Sequence, residues 1–505
     1  MCRAFAEALV CTSFISLLGY PLPPETSNAS MLQSHLQRDA RHLLDGRLVG
    51  SDTSFEVINP ATGAAFALCP QATPTQLDEA VRAAGRASPS WQSMSFDARR
   101  DLIRRMGAVI RDNAAPLAAL LTREQGKPLA QSHEEITRAT RQAEGMADIR
   151  IEPEVLVDDA ERRTELHYVP LGVIGVIIPW NAPVNLAAGP LSAALYTGNT
   201  VVLKPSPFAP LTTLKIGELV RDVFPAGTVN ILAGGDEFGQ SMCEHPGIAK
   251  ISFTGSVATG KRVMATAAAT LKRVTLELGG NDAAIVLDDV DVASIAPRLF
   301  FAATVNSGQV CMAVKRIYAH EKVYPALCEA LAAEARKARV GDGAAPDTQI
   351  GPIQNRRQYE RVLGILQDAR TRGARFLAGG GALPRNGYFI PPTIVTDIPE
   401  DSRLVQEEQF GPVVPVLKFT DVDDAVRRAN DTRFGLAGSV WSSDPQRAAA
   451  IAARLEAGTV WINHHRATAA TVPFGGMKES GIGRHYSVLG LKSNMEPRVV
   501  SVLKS

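Results

Sequence analysis

The chain has 505 residues, which is too long for a single hydrophobic core and predicts two or three domains. Apolar residues make up 45% and charged residues 21% of the sequence, as in ordinary globular proteins, so the chain as a whole is not disordered. The 53 basic and 52 acidic side chains leave a net charge of +1, which gives no electrostatic reason to expect nucleic acid or a membrane surface as partner.

The six cysteines are scattered, without a Cys-x-x-Cys pair, and no His-Glu-x-x-His sequence occurs. Neither a disulfide framework nor a metal site is therefore predicted. A reducing compartment, the cytoplasm, is the expected location. The adjacent His464 and His465 have no further ligand at a suitable spacing, so we do not expect them to bind a metal.

Residues 1–40 are predicted to be a disordered N-terminal extension. The apolar run at 8–20 is shorter than a membrane span, and Glu7 opposes Arg3, the one cation before it, so a signal peptide is disfavoured. Residues 21–40 show no periodicity and have the composition of a linker. Met31 would serve equally well as the start of the protein.

The stretch 75–147 is predicted to be helical, because Leu102, Met106 and Ile110 recur at helical spacing and Ser95 is a good N-cap. Residues 148–168 are more polar. The alternation near their end predicts an exposed strand, which needs a partner edge.

From residue 169 onward, apolar strand-like runs alternate with helical stretches. The strands are predicted at 173–178, 200–203, 229–232 and 250–253, and the helices at 186–196, 214–224 and 237–244. This alternation predicts a parallel sheet covered on both faces by helices. Such sheets bind ligands at the carboxyl ends of their strands.

Two motifs fall at these carboxyl ends. Lys204-Pro205-Ser206-Pro207 follows one strand, and Phe253-Thr254-Gly255-Ser256 follows another and opens a helix whose free N–H groups favour an anion. The Gly-x-Gly-x-x-Gly fingerprint of many dinucleotide sites is absent from this unit. Taken alone, Gly255 could equally mark the start of a helix without any role in binding a ligand.

A second series of strands and helices begins near residue 283 and carries Cys311, which follows a glycine-containing corner, Asn306-Ser307-Gly308. A thiol is nucleophilic as thiolate, so Cys311 needs a nearby base. Glu277 is the candidate, because it ends a strand just before paired glycines. Asn181 follows another strand and offers an amide that could donate to an oxyanion.

The three motifs around Asn181, Glu277 and Cys311 occur in the order found in the aldehyde dehydrogenase superfamily, which the chain resembles from about residue 43 to its C-terminus. The resemblance implies an α/β fold with a Rossmann-like parallel-sheet cofactor domain, a second α/β catalytic domain and a small β oligomerisation element. The implied ranges are 41–147 with 169–279 for NAD(P) binding, 280–480 for catalysis, and 148–168 with 481–505 for assembly into a homodimer or homotetramer.

The resemblance implies oxidation of an aldehyde to the carboxylic acid with NAD(P)+. Cys311 would form a thiohemiacetal and then a thioester, Asn181 would hold the oxyanion, and Glu277 would activate water for hydrolysis. Three alternatives stay open: a coenzyme-A-acylating dehydrogenase, a thiol hydrolase without cofactor, and a catalytically silent binding protein on the same fold. Glu277 favours hydrolysis, because relatives that transfer the acyl group to coenzyme A usually lack it.

The resemblance also implies a set of cofactor-binding residues. They are Pro179, Trp180, Lys204, Ser206, Pro207, Gly255, Ser256, Leu278, Gly279, Glu408 and Phe410. Many NAD-preferring relatives have an acidic residue where this chain has Pro207, so the group that would repel the 2'-phosphate of NADP is missing. No arginine stands beside Lys204 to grip that phosphate. We therefore expect NAD as the main cofactor, with measurable use of NADP.

The positions expected along the aldehyde tunnel are Ala182, Leu186, Gly189, Val310, Met312, Thr468 and Phe474. Several are smaller than the aromatic residues common at matching places in the family. This predicts a wide apolar tunnel and a medium-sized apolar or aromatic aldehyde as substrate. Arg466 suggests the alternative of a semialdehyde, because a guanidinium near the mouth could bind a distal carboxylate.

Overall fold

The computed structural model describes residues 40–504, so nearly all of the expected N-terminal extension lies outside the described residues. The strands are β1 His42–Leu44, β2 Arg47–Val49, β3 Ser54–Asn59, β4 Ala64–Pro70, β5 Glu154–Asp158, β6 Arg162–Pro170, β7 Val173–Ile177, β8 Thr200–Lys204, β9 Val229–Ile231, β10 Lys250–Thr254, β11 Arg273–Glu277, β12 Ala283–Val286, β13 Arg316–His320, β14 Arg375–Ala378, β15 Thr393–Thr396, β16 Val413–Phe419, β17 Phe434–Gly435, β18 Ala437–Trp441, β19 Thr459–Ile462, β20 Met477–Lys478, β21 Gly481–Ile482 and β22 Met495–Leu503.

The α-helices are α1 Pro74–Ser93, α2 Phe96–Asp112, α3 Ala114–Gln125, α4 Leu129–Ala147, α5 Pro183–Tyr196, α6 Leu211–Val220, α7 Asp236–Glu244, α8 Val257–Ala268, α9 Val292–Thr304, α10 Tyr324–Lys337, α11 Arg356–Thr371, α12 Arg403–Gln406, α13 Val422–Asn430, α14 Pro445–Ala452 and α15 Ser487–Lys492. The predicted N-cap is confirmed, because the Ser95 side chain accepts a hydrogen bond from the Ala98 N–H at 3.2 Å. The helix predicted at 214–224 begins earlier and ends at Val220. Pro225 follows closely, and a proline disfavours helical backbone in the residue before it.

An eight-stranded sheet has the strand order β2-β1-β9-β8-β7-β10-β11-β21. Its five central strands, β9 to β11 in this order, are mutually parallel, whereas β1 and β21 join antiparallel at the two sides. Every residue of β7, β8 and β10 is buried, because helices cover both faces of the sheet. The predicted parallel α/β sheet is confirmed.

The register of this sheet aligns the predicted motifs. Ile177 pairs with Lys204 and with Phe253, and Thr254 pairs with Glu277. Ile177, Lys204, Thr254 and Glu277 end their strands, and parallel strands end at the same edge of a sheet. The segments after β7, β8, β10 and β11 therefore emerge along one edge, as the sequence predicts.

A second, seven-stranded sheet has the order β14-β15-β16-β13-β12-β18-β19 and is parallel except for the β14–β15 pair. Alternate residues of β12 enter two separate cores, since strand side chains point to opposite faces. Ala284 and Val286 pack against the helix α9 residues Ile295 and Leu299, whereas Ile285 packs in the core that contains helix α11.

A third sheet is antiparallel, with the order β22-β6-β5. The exposed strand predicted near residue 168 lies within β6, which pairs along its full length with β22. Several apolar side chains of β22 face solvent, among them Val499, Val502 and Leu503. Between these strands in sequence, Gly481–Ile482 pairs instead with β11 of the first sheet. The proposed domain ranges and the role of the third sheet in assembly stay predictions.

No helix in residues 40–504 is long and apolar enough to cross a membrane.

Candidate active site

Cys311 is reached through a backbone reversal just after helix α9. Residues 306–308 all have positive φ values, of 52°, 57° and 70°. The third must be glycine, because a Cβ atom on Gly308 would lie 2.2 Å from the carbonyl oxygen of Gly411. The glycine corner singled out in the sequence thus turns the chain so that Cys311 follows directly after a buried loop.

Two buried side chains hold this loop in place. The amide of Gln309 donates from Nε2 to the carbonyl oxygen of Asn306 at 3.0 Å, and its Oε1 accepts from the Gln354 N–H at 2.8 Å. The Lys315 ammonium donates to the carbonyl oxygens of Val310 at 2.7 Å and of Cys311 at 2.8 Å. Cys311, the predicted nucleophile, is therefore held by the contacts of Gln309 before it and of Lys315 after it in sequence.

Glu277 lies beside Cys311, at the end of strand β11. Its side chain is only 3% exposed, and neither carboxylate oxygen has a fully formed hydrogen bond within residues 40–504. Burial raises the pKa of Glu277 to about 8, and the interaction with the Cys311 thiol offsets part of that rise. Such a carboxylate is a stronger base than one in water.

The Cys311 residue as a whole is partly exposed. Desolvation nevertheless raises the pKa of its thiol well above the ordinary value, and the Glu277 carboxylate raises it further, whereas Lys315 opposes the shift. The thiol therefore needs a base in contact to become a thiolate, and Glu277 is the carboxylate in that position.

Asn181 is buried and anchored from two directions. Its side chain donates from Nδ2 to the carbonyl oxygen of Gln309 at 3.0 Å, which joins it to the loop that carries Cys311. Its own carbonyl oxygen accepts from Asn306 Nδ2 and from Lys127 Nζ, both at 2.8 Å. A primary amide has two N–H groups, so one of them is left for a substrate oxygen.

The ion pair that supports Asn181 is not marked by any motif in the sequence. Lys127 and Glu135 are both buried, and their charged groups are in direct contact. Glu135 also caps helix α5, since its Oε1 accepts from the N–H groups of Val184 at 2.9 Å and Asn185 at 3.2 Å. Lys127 stands within a region predicted to be helical, and a lysine at such a position does not by itself predict a buried ion pair.

The expected tunnel residues Ala182 and Leu186 are half-buried at the start of helix α5, and Val310 and Met312 flank Cys311 in sequence. Phe474 is buried, and its N–H donates to the carbonyl oxygen of His485 at 2.9 Å. Val310, Met312 and Phe474 belong to one hydrophobic core, and Ala182 directly follows Asn181.

Gly189 does not open the wide space that its size predicts. A Cβ atom placed there would lie 3.2 Å from Cε1 of Tyr486, so the Tyr486 ring covers this position. The Tyr486 hydroxyl donates to Gln142 Oε1 at 3.1 Å. The Thr468 hydroxyl, in turn, accepts from Gln142 Nε2 at 3.1 Å and from Arg138 Nη2 at 2.5 Å. The side chains of Arg138, Gln142, Thr468 and Tyr486 thus form a polar wall on this side of the expected tunnel, where the sequence predicts an apolar surface.

Comparisons with known proteins agree with this geometry. Residues 48–500 match the sequence pattern of the aldehyde dehydrogenase family. The chain belongs to the aldehyde dehydrogenase family. It is 37% identical to "Aldehyde dehydrogenase LUC3" of Fusarium sp over 92% of this chain and 98% of that relative. It is 36% identical to "Probable succinate-semialdehyde dehydrogenase [NADP(+)]" of Sinorhizobium fredii over 90% of this chain and 94% of that relative.

Among solved structures, the NAD+ complex of an aldehyde dehydrogenase from Bacillus cereus superimposes with a TM-score of 0.92 at 34% identity, covering 96% of this chain and 99% of the other. The resemblance seen in the sequence is confirmed, together with the fold class. This protein is an aldehyde dehydrogenase enzyme that uses NAD(P).

The part of this aldehyde dehydrogenase predicted to hold the nicotinamide contains Glu408. Its Oε1 accepts from the Gly280 N–H at 3.0 Å, and a Cβ atom on Gly279 would lie 2.2 Å from its Oε2. Burial raises the pKa of Glu408. Phe410 meets the Trp180 ring edge-on at 5.5 Å. A carboxylate and two aromatic rings beside a bare glycine backbone suit a ribose and a flat heterocycle.

The residues predicted to bind the adenosine half of the cofactor also have groups that suit a dinucleotide. Lys204 is 4% exposed, and within residues 40–504 its Nζ donates only to the Pro205 carbonyl oxygen, at 3.2 Å, which leaves donors for a ligand. Burial lowers its pKa to about 8. Ser256 is the N-cap of helix α8, whose first N–H groups favour an anion. The remaining expected residues, Pro179, Ser206, Pro207, Gly255 and Leu278, lie along the same sheet edge. The assignment of each residue to the cofactor stays a prediction.

No group of three or more His, Cys, Asp or Glu side chains that could hold a metal ion occurs in the described part of the chain.

Proposed function

We propose that this aldehyde dehydrogenase oxidises its substrate to the free carboxylic acid through intermediates bound to Cys311, and that Glu277 drives the hydrolytic step. The observation that carries the proposal is the buried Glu277 carboxyl group, which lies beside the thiol and lacks a fully formed hydrogen bond within residues 40–504. A carboxylate left without partners in a dry site is free to take a proton.

In the first step, Glu277 takes the proton of the Cys311 thiol, and the thiolate adds to the carbonyl carbon of the aldehyde. The carbonyl oxygen becomes an oxyanion, held by the remaining N–H of Asn181 and by the Cys311 backbone N–H. Loss of one such donor costs on the order of 100-fold in rate. The anchors of Asn181 on Lys127 and Gln309 keep this donor in place before substrate arrives.

A bound nicotinamide supplies the acceptor for the hydride that leaves the substrate carbon. Trp180, Glu408 and Phe410 are the residues we propose to hold it. Glu277 then releases the thiol proton to solvent. The thioester that remains on Cys311 is hydrolysed when the regenerated Glu277 carboxylate takes a proton from water and the resulting hydroxide attacks the acyl carbon. The carbon–sulfur bond breaks, the acid leaves, and the thiolate is restored.

Mass spectrometry of the intact protein tests this sequence. Mixing Glu277→Gln with an aldehyde and NAD+ should form the thioester more slowly than in the parent protein, because the thiol has lost its base. The mass of the acyl group should still accumulate on the protein, because no carboxylate remains there to activate water for hydrolysis. Cys311→Ala is the matched control and should stay unmodified. An unmodified Glu277→Gln protein that still releases acid at the parent rate would contradict the assigned role. Faster turnover on addition of coenzyme A would favour the acylating alternative instead.

For the substrate, the small tunnel residues support a medium-sized apolar or aromatic aldehyde. The name of the Sinorhizobium relative supports a semialdehyde. The two possibilities differ by one negative charge at the far end of the molecule, so charged groups in the tunnel decide between them.

We also propose a cytoplasmic homodimer or homotetramer. The support for assembly is the open edge of β22 with its exposed Val499, Val502 and Leu503, since exposed apolar edge strands are usually covered by a partner. The support for a reducing location is that the four described cysteines are all unpaired. Light scattering across a dilution series would measure the assembly.

A further inference from the structure

Arg466 carries a positive charge in the tunnel region that nothing in the described protein neutralises. Its Nε is buried without a hydrogen-bond partner within residues 40–504, and its guanidinium lies over the Phe301 ring, 5.7 Å from the centroid. Its backbone has a φ of 70°, which few non-glycine residues adopt. A strained residue with an unpartnered buried donor is typical of a functional position.

Arg138 provides a second guanidinium in the same region. It extends from helix α4 to donate to the Thr468 hydroxyl, two residues beyond Arg466. In the part of the chain that the structure describes, no carboxylate lies within 4.0 Å of either guanidinium. Burial, and after it the charge of Arg138, lower the pKa of Arg466 to about 10.

Both cations are also near the reacting residues. A negative charge on Cys311 would raise the pKa of Arg466. The positive charge of Arg138 lowers the pKa of Tyr486, whereas the negative charges of Glu277 and Cys311 raise it. Tyr486 covers Gly189 and binds Gln142, the second donor to Thr468. The two guanidiniums therefore belong to the polar wall of the substrate tunnel.

Two like charges in a partly dry space repel each other, and an anion between them would remove that cost. A guanidinium presents a planar fork of N–H donors that matches a carboxylate. We propose that Arg138 and Arg466 form an anion-binding subsite for the distal carboxylate of the substrate, so that the preferred aldehydes are semialdehydes of dicarboxylic acids. This inference rests on the proposed Cys311 chemistry, and it departs from the apolar preference that the small tunnel residues predict.

The test compares substrates that differ only in the distal group. The pairs are hexanal with 6-oxohexanoate, and butanal with 4-oxobutanoate. The carboxylate member of at least one pair should have a kcat/KM about 10- to 100-fold higher, the range expected for a hydrogen bond to a charged group. Equal or higher values for the methyl member in both pairs would overturn the subsite.

Replacing either arginine identifies the groups responsible. Arg466→Leu and Arg138→Leu should each bring the kcat/KM ratio of the carboxylate and methyl members close to one. The matched control is Arg141→Leu, an exposed arginine on the same helix, which should keep the parent ratio. A ratio that survives both tunnel substitutions would show that the carboxylate binds elsewhere.

A binding measurement covers the case in which the buried Arg466→Leu protein does not fold. Hexanoate should inhibit hexanal oxidation by the parent protein competitively and at least about tenfold more strongly than hexanamide, its uncharged counterpart. Equal inhibition by the two compounds would overturn the subsite.

The outcomes also separate the two proposals. Cys311-dependent oxidation of hexanal without a carboxylate preference refutes the subsite alone, whereas Cys311-independent oxidation refutes the proposed function.

Discussion

Raising the pH from 7 to 9 should accelerate hydrolysis of the Cys311 thioester about tenfold. Glu277 acts as a base only when it is ionised, and burial raises its pKa to about 8. A carboxylate with that pKa is about one-tenth ionised at pH 7 and about nine-tenths ionised at pH 9. Because the raised pKa favours the protonated form, activity is gained as the pH rises through 8 and levels off above it.

Rapid mixing of enzyme, NAD+ and aldehyde would measure this step. The burst of reduced nicotinamide reports thioester formation, and the slower phase that follows reports its hydrolysis. At pH 7 the burst should be clear, and it should shrink as hydrolysis accelerates toward pH 9. The structural cause is the 3% exposure of Glu277 and its lack of fully formed hydrogen bonds within residues 40–504, so no partner holds the carboxylate ionised.

Glu277→Gln provides the control. Its slow phase should be lower by about 100-fold or more, because the general base is gone. Residual hydrolysis should then follow hydroxide concentration, rising with pH without a plateau. A parent rate that is flat between pH 7 and 9, or a plateau near pH 8 that persists in the Gln variant, would refute the assignment of this titration to Glu277.

Three further substitutions test other parts of the site. Cys311→Ala should abolish formation of reduced nicotinamide, and substantial steady-state activity would contradict the nucleophile assignment. Pro207→Glu should increase the ratio of kcat/KM for NAD to that for NADP, because a carboxylate near Lys204 repels a 2'-phosphate; a parent protein with strong NADP preference would show that other contacts decide. Lys127→Met should destabilise the fold by about 3 kcal/mol, as it leaves the buried Glu135 charge without its cation; denaturant unfolding at fixed protein concentration measures this, and an unchanged midpoint would contradict it.

Sequence patterns predicted the first sheet well because its strands are buried on both faces. An apolar run such as β8 has one structural solution, and Lys204 at its end had to emerge at the ligand-binding edge. Glu277 was found for the same reason, since it ends β11 in register with Thr254. Local patterning and the parallel topology were sufficient for these positions.

Contacts between distant segments could not be predicted in this way. The absence of a side chain at Gly189 predicts an open tunnel, but the ring of Tyr486, from the far end of the chain, covers Gly189. Arg138 has the pattern of one more polar residue on an amphipathic helix, and only the fold shows its contact with Thr468, two residues after Arg466. Side-chain packing across segments, rather than periodicity, determines the polarity of the tunnel.

The close approach of Gly308 to Gly411 has a consequence for directed evolution of this enzyme. The carbonyl oxygen of Gly411 would lie only 2.2 Å from a Cβ atom on Gly308, so a side chain at position 308 fits only if the backbone at Gly411 moves with it. Libraries that diversify the two segments separately should return mostly inactive clones. Productive variants should carry paired changes, and selection for a new cofactor through residues 408–412 should also select new sequences at 306–309.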